Sequence, residues 1–317
     1  MQNGTDEKYE IIVQDLKKSY DGKKMALNGL TFRVKKGEIY GLLGKNGAGK
    51  STSIKIMTTL IGYDSGEVKI SGYDVKREGS KIRRVIGVVQ QEESFDFTSV
   101  ENNFKIVGML WEVPKKDVKE RMENLLDLFG LQDMRKKRMY DLSGGQKKRV
   151  QVAREFMHDM NVLFLDEPTV GLDPIMRRKI LNYIRQRAAT GLTVLFTTQN
   201  LEEADMICDR IGIINDGVIV AEGTSDELKQ RFGALRTLKL TSNHDLISMS
   251  EEIKKSLERF NMDEIEIKDN VIYILGKKID KTLSDIIDTI SGINISIENV
   301  SIDNPTLDEV FMKVVQR

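Results

Sequence analysis

Apolar and polar residues alternate over 10–13 and 30–34, which predicts two strands separated by the polar turn Tyr20-Asp21-Gly22-Lys23-Lys24. From Ile39 the pattern becomes a buried strand, then a glycine-rich turn, then a helix reaching Leu60. Residues 66–70 and 85–89 read as strands again, the latter closed by Gln90-Gln91. Over 100–138 the period turns helical, as at Val118, Met122, Leu125, Leu126 and Phe129, ending at Gly130; an inserted helical lobe is expected. A basic, helix-favouring run over 147–157 follows Asp141-Leu142-Ser143-Gly144-Gly145-Gln146. The short apolar runs at 162–165 and 193–197 suit strands of a parallel sheet buried on both faces. Asn215-Asp216-Gly217, between 211–214 and 218–220, is a hairpin signal. Past about Gly233 the segments 235–241, 247–260, 265–268, 271–275, 279–290 and 293–302 read β, α, β, β, α, β, the ferredoxin-like order. After Pro305, Thr306 and Glu309 make a capping box that starts a last helix over 307–315.

Chemistry concentrates where these elements meet. Gly44, four residues, then Gly49-Lys50-Ser51 fits the phosphate-loop pattern G-x-x-x-x-G-K-[ST]. A polyphosphate needs inward-pointing N–H groups with no Cβ in the way, so Gly44, Gly47 and Gly49 are expected to supply positive φ and close approach. Asn46, Ala48 and Thr52 would complete the cradle; Lys50 would reach the terminal phosphates and Ser51 would ligate Mg²⁺. The run 162–165 ends in Asp166-Glu167, and strand-end carboxylates are where an α/β sheet places ligand chemistry. Asp166 is expected in the Mg²⁺ shell and Glu167 beside the attacking water. Ser143-Gly144-Gly145 opens a helix and makes a second anion-facing turn, although serine and glycine are also ordinary turn residues. Tyr20 would stack on a base, or serve merely as a surface aromatic.

Composition narrows the field. At 317 residues the length prior is about two domains. Lys plus Arg and Asp plus Glu are equal at 49 each, so no net field favours nucleic acid. The single cysteine, Cys208, excludes an internal disulfide and a cysteine-rich metal site, and fits a reducing compartment. The polar start MQNGTDEKYE lacks signal-peptide character, and no apolar run approaches about 18 residues. Membrane work is therefore expected through a partner.

The loop at 44–51, Leu142-Ser143-Gly144-Gly145-Gln146, Asp166-Glu167-Pro168-Thr169 and Leu172-Asp173-Pro174, in that order, resemble the ATPase subunits of ABC transporters over about 9–232. The resemblance implies an α/β fold: a P-loop NTPase core with an antiparallel β subdomain and an inserted helical lobe at about 92–155. A small α+β, ferredoxin-like accessory domain over 233–317 follows. It also implies a head-to-tail dimer, homo or hetero, in which Ser143, Gly144, Gly145 and Gln146 close over the γ-phosphate held by the partner's loop. Tyr20 then matches the adenine-stacking aromatic, Gln91 the glutamine near Mg²⁺ and the attacking water, and Asp173 the residue communicating across the dimer. The ending Asn304-Pro305-Thr306-Leu307-Asp308-Glu309-Val310-Phe311 is similar to that of drug-resistance-type exporter ATPases, which serve a separate transmembrane permease. A peripheral position on the cytoplasmic face of the cell membrane follows from that resemblance.

One position departs from the pattern: Gln199 follows Thr198 where the family carries histidine. Neither His158 nor His244 is placed to substitute. Glutamine offers similar reach without charge or titration. ATP is therefore expected to bind while hydrolysis runs slower; the competing reading is an ordinary rate, with an aligned water and Glu167 supplying most of the effect. The alternatives are a nucleotide-gated clamp with little hydrolysis, or a soluble ABC ATPase acting on ribosomes or DNA; against the latter stand one cassette, no sustained heptads and no basic arm.

Overall fold

The computed structural model describes residues 8–91, 97–232, 236–276, 279–303 and 306–315. Residues 92–96 of the expected lobe, Gly233, Leu235, and the Asn304-Pro305 pair of the tail lie outside the described residues. The chain divides into two compact units, Met1–Thr224 and Ser225–Arg317.

The strands of the first unit are β1 (Tyr9–Ser19), β2 (Met25–Lys35), β3 (Ile39–Leu43), β4 (Ser65–Ile70), β5 (Tyr73–Asp74), β6 (Ile86–Val89), β7 (Val162–Asp166), β8 (Thr193–Thr198), β9 (Arg210–Asn215) and β10 (Val218–Gly223). An antiparallel sheet runs β2-β1-β4-β5. A six-stranded sheet runs β10-β9-β3-β8-β7-β6 and is parallel except at the β9–β10 hairpin.

The apolar runs explain why that sheet lies inside. In β7, Leu163 and Leu165 join one buried cluster, while Val162 and Phe164 join another. In β8, Val194 and Phe196 join the first and Leu195 the second. Because strand side chains point alternately to opposite faces, an unbroken apolar run fills two cores at once. One core packs against the antiparallel sheet and the phosphate-loop helix; the other packs against the lobe helices and Pro174–Ala189.

The expected helical stretch over 100–138 resolves into two helices, Val100–Leu110 and Lys115–Leu128. The break falls at Glu112, which takes a left-handed φ of 54°, and Pro114, which has no N–H to continue the first helix and caps the second instead.

The second unit contains helix Ser225–Phe232, β11 (Arg236–Ser242), helix Ser250–Leu257, β12 (Glu264–Lys268), β13 (Val271–Gly276), helix Ile279–Gly292, β14 (Ile297–Asp303) and helix Leu307–Val315. Its sheet order is β12-β13-β11-β14 with every pairing antiparallel, which is the ferredoxin-like arrangement. The strand expected over 293–302 starts only at Ile297; before it Asn294 adopts φ 63° and its N–H bonds to Ser291 O, turning the chain. Glu309 N donates to Thr306 Oγ1 at 3.3 Å, one half of the expected capping box. Helix Ser225–Phe232 packs against helix Leu307–Val315, with Leu228, Leu307, Val310 and Val314 buried.

Leu228→Ala is therefore expected to remove about 2–4 kcal/mol from the second unit while leaving the first unchanged. Trp111, the one tryptophan, lies in the first unit, so its fluorescence should unfold at the unmodified denaturant midpoint while far-UV circular dichroism shows an earlier phase.

Candidate active site

The phosphate loop joins β3 to helix Lys50–Met57. Gly47 and Gly49 take left-handed φ values of 81° and 112°, as expected. Gly44 does not; there the requirement is space, since a Cβ would lie 2.5 Å from Ile214 O on β9. The loop is braced by the β9–β10 hairpin, whose Gly217 N donates to Ala48 O at 3.0 Å and whose Gly217 O accepts from Asn28 N at 3.1 Å. Lys50 is buried, with Nζ donating to Gly44 O at 2.6 Å and Lys45 O at 3.2 Å. Burial pulls its pKa down, and the nearby Glu167 and Asp166 carboxylates oppose that shift.

Glu167 sits just beyond the end of β7, in a left-handed backbone conformation with φ 51°. Its N–H donates to Thr197 O at 3.1 Å, across to β8. The side chain is buried between two carboxamides. Gln91 Nε2 donates to Oε2 at 3.1 Å and Gln199 Nε2 donates to Oε1 at 2.6 Å. Asp166 is buried alongside, with Oδ1 accepting from Thr197 Oγ1 at 2.6 Å.

A groove of about 320 Å³ brings together Asn46, Gly47, Gly49, Lys50, Ser51, Thr52, Gln91 and Glu167, together with Ala26, which the motif pattern had not indicated. Tyr20 is exposed, with its hydroxyl 3.3 Å from Thr52 Oγ1. Gln199 joins the groove through Glu167. Ser143, Gly144, Gly145, Gln146 and Asp173 do not line it. Each of these has a visible local task except Gly144. Ser143 and Gln146 form a reciprocal capping box, with Oγ accepting from Gln146 N at 3.3 Å and Gln146 Oε1 accepting from Ser143 N at 3.0 Å. Gly145 leaves room for Gly171 O, which would lie 2.5 Å from a Cβ. Asp173 caps helix Pro174–Ala189 by accepting from Met176 N at 2.9 Å. His158 is occupied elsewhere, stacked on Trp111 at 3.8 Å between ring centroids.

The pattern also missed Glu203. Only 5% exposed, its carboxylate accepts from Thr169 Oγ1 at 2.8 and 2.9 Å and from Thr198 Oγ1 at 2.8 Å, and pairs with Arg177 Nε at 3.2 Å. It ties the segment after Glu167 to the residue before Gln199. Glu203→Ala is expected to lower stability by about 2–4 kcal/mol, because two buried hydroxyls and a guanidinium lose their acceptor. Glu203→Gln, which keeps one acceptor oxygen, should lose clearly less in urea denaturation.

The ABC transporter family profile matches residues 27–170. The linearmycin resistance ATP-binding protein LnrL of Bacillus subtilis (strain 168) is 32% identical over 307 residues, covering 96% of this chain and 97% of the relative. The daunorubicin/doxorubicin resistance ATP-binding protein DrrA of Streptomyces peucetius is 37% identical over 309 residues, covering 95% and 91%. A solved dimeric ATP-binding cassette in a post-hydrolysis state, bound to ADP and Pi, superposes with a TM-score of 0.63 at 26% identity, covering 68% of this chain and 98% of that one. Similarity sustained along nearly the whole of both resistance proteins shows that the chain belongs to the ABC transporter family, as an ATP-binding, ATP-hydrolysing subunit of the drug-resistance type.

Proposed function

We propose that this subunit powers export of a small molecule through a separate membrane permease, working at the cytoplasmic face of the cell membrane as one half of a nucleotide-sandwiching dimer. The observation that carries the catalytic part is the clasp on Glu167, one oxygen to Gln91 and one to Gln199, at the rim of the phosphate-loop groove.

In this reading the loop N–H groups of 46–52 cradle the triphosphate and the face of Tyr20 receives the adenine. Lys50 leaves the carbonyls of Gly44 and Lys45 for the terminal phosphates. Ser51, Asp166 and Gln91 offer only oxygen donors, a set that suits Mg²⁺, which takes few protein ligands beside phosphate. When bound, Mg²⁺ neutralises charge on the phosphate oxygens. Glu167 orients a water and accepts its proton as the oxygen attacks the γ-phosphorus. The bond to the β-phosphate bridging oxygen breaks and ADP departs with that electron pair. Because Gln91 and Gln199 hold different oxygens, loosening of either one frees an oxygen of Glu167 to meet the water.

Ser143, Gly144, Gly145 and Gln146 would act on the nucleotide of the partner subunit, homo or hetero. Val170 and Ile175 support this: both are exposed apolar residues flanking Asp173, on a segment that a second subunit would cover. On the lobe, Phe97, Met109 and Leu110 are exposed and suit contact with the permease. No helix among the described residues is long and apolar enough to cross a membrane. The second unit, Ser225–Arg317, is read as an accessory domain that starts eight residues before the expected boundary at 233, and no nucleic-acid partner is assigned.

Glu167→Gln should lower ATP turnover at least on the order of 100-fold while ATP binding persists. Size-exclusion chromatography with Mg-ATP should then show a dimer; a monomer at saturating Mg-ATP would contradict the sandwich. Gln199→His should raise turnover by about 5-fold, equivalent to ~1 kcal/mol from a charge-assisted bond. It should also introduce a titration between about pH 5 and 8 that the native glutamine cannot supply. Unchanged turnover and pH profile would show that residue 199 does not limit the reaction.

A further inference from the structure

Helix Gly144–Glu155 begins at the Ser143 cap and buries Lys148 and Gln151 on the face turned to the end of β6, where Glu155 also bonds. Lys148, 4% exposed, donates from Nζ to Gln90 O at 3.1 Å and to Gln91 O at 3.2 Å. Gln151 Nε2 donates to Gln90 O at 3.2 Å, and Glu155 Oε2 accepts from Val88 N at 3.1 Å. The spacings of three and four residues set these side chains in one row along the helix. The backbone that carries Gln91 is thus fastened at three points to the helix that carries the Ser143 turn. Gln91 in turn donates to Glu167.

We infer that Lys148 is a positioning residue: it transmits displacement of the Ser143-Gly144-Gly145 turn to Gln91, and through Gln91 to Glu167. The inference rests on the reading that this turn engages a partner's phosphate. A helix moves as a rod, and Ser143 and Lys148 are about 7.5 Å apart along its axis. When the turn is drawn toward phosphate, the carbonyl of Gln91 moves with it. A backbone shift of about 1 Å is enough to break a hydrogen bond of 3.1 Å between Gln91 and Glu167. Closure of the dimer and release of the general base become one event.

The test compares Lys148→Met, which keeps the length and removes the donors, with Lys148→Arg, which restores them. In the purified full chain with Mg-ATP, Lys148→Met is expected to lower kcat on the order of 100-fold, with KM for ATP within about twofold. Combined with Glu167→Gln, it should still form the ATP-dependent dimer, and Lys148→Arg should recover most of kcat. Native kcat in Lys148→Met would overturn the inference. So would joint loss of kcat, ATP affinity and the dimer without rescue by arginine, which is the pattern of a purely structural lysine. If Glu167→Gln alone fails to dimerise, the underlying reading falls and takes the inference with it.

Discussion

The hold on the Glu167 carboxylate organises the nucleotide end of this sheet. The residue stands just past the end of a buried parallel strand in a left-handed conformation, which for a residue with a Cβ costs on the order of 1–3 kcal/mol. The surroundings overcome that cost: the N–H of Glu167 bonds to β8, Thr197 orients Asp166 beside it, and Gln91 and Gln199 grip its two oxygens. Each gripping residue comes from a different connection of the sheet, so the carboxylate is tied to the ends of β6, β7 and β8 together.

This arrangement sits at the edge of a rigid core. The six-stranded sheet is buried on both faces, and its strands cannot slide without disturbing two packed clusters. What remains adjustable are the strand ends. Glu203 joins the segment after Glu167 to Thr198, while Lys148 joins the Ser143 helix to Gln91. One grip on the Glu167 carboxylate is tied to the sheet, the other to the lobe. The glutamine at 199 makes both grips carboxamides, neutral and alike in chemistry, where a relative with histidine would have one charged and titrating group.

Much of this was legible in the amino-acid pattern. The phosphate loop, the strand-end acids, the Asn-Asp-Gly hairpin and the ferredoxin-like order are local signals, carried by residues near one another in sequence. Lys148 lies within the basic, helix-favouring run over 147–157, which marks out no single lysine, and its acceptors are Gln90 and Gln91, nearly sixty residues upstream. Glu203, in the first turn of helix Leu201–Ile207, belongs to no motif, and only the fold places Thr169 against it. The positive φ expected at Gly44 is absent; what excludes a side chain there is a carbonyl of β9, which no local spacing announces. The lobe broke into two helices because Pro114 outweighed an otherwise continuous apolar period.

The central claim, that each Ser143 turn serves the phosphate loop of another subunit, is tested most directly by cross-linking. Cysteines introduced together as Ser143→Cys and Asn46→Cys, with Cys208→Ser to remove the native thiol, should give a disulfide-linked dimer on mild oxidation with Mg-ATP and little without it. A bond within a single chain, or no ATP-dependent linkage between chains, would contradict the account.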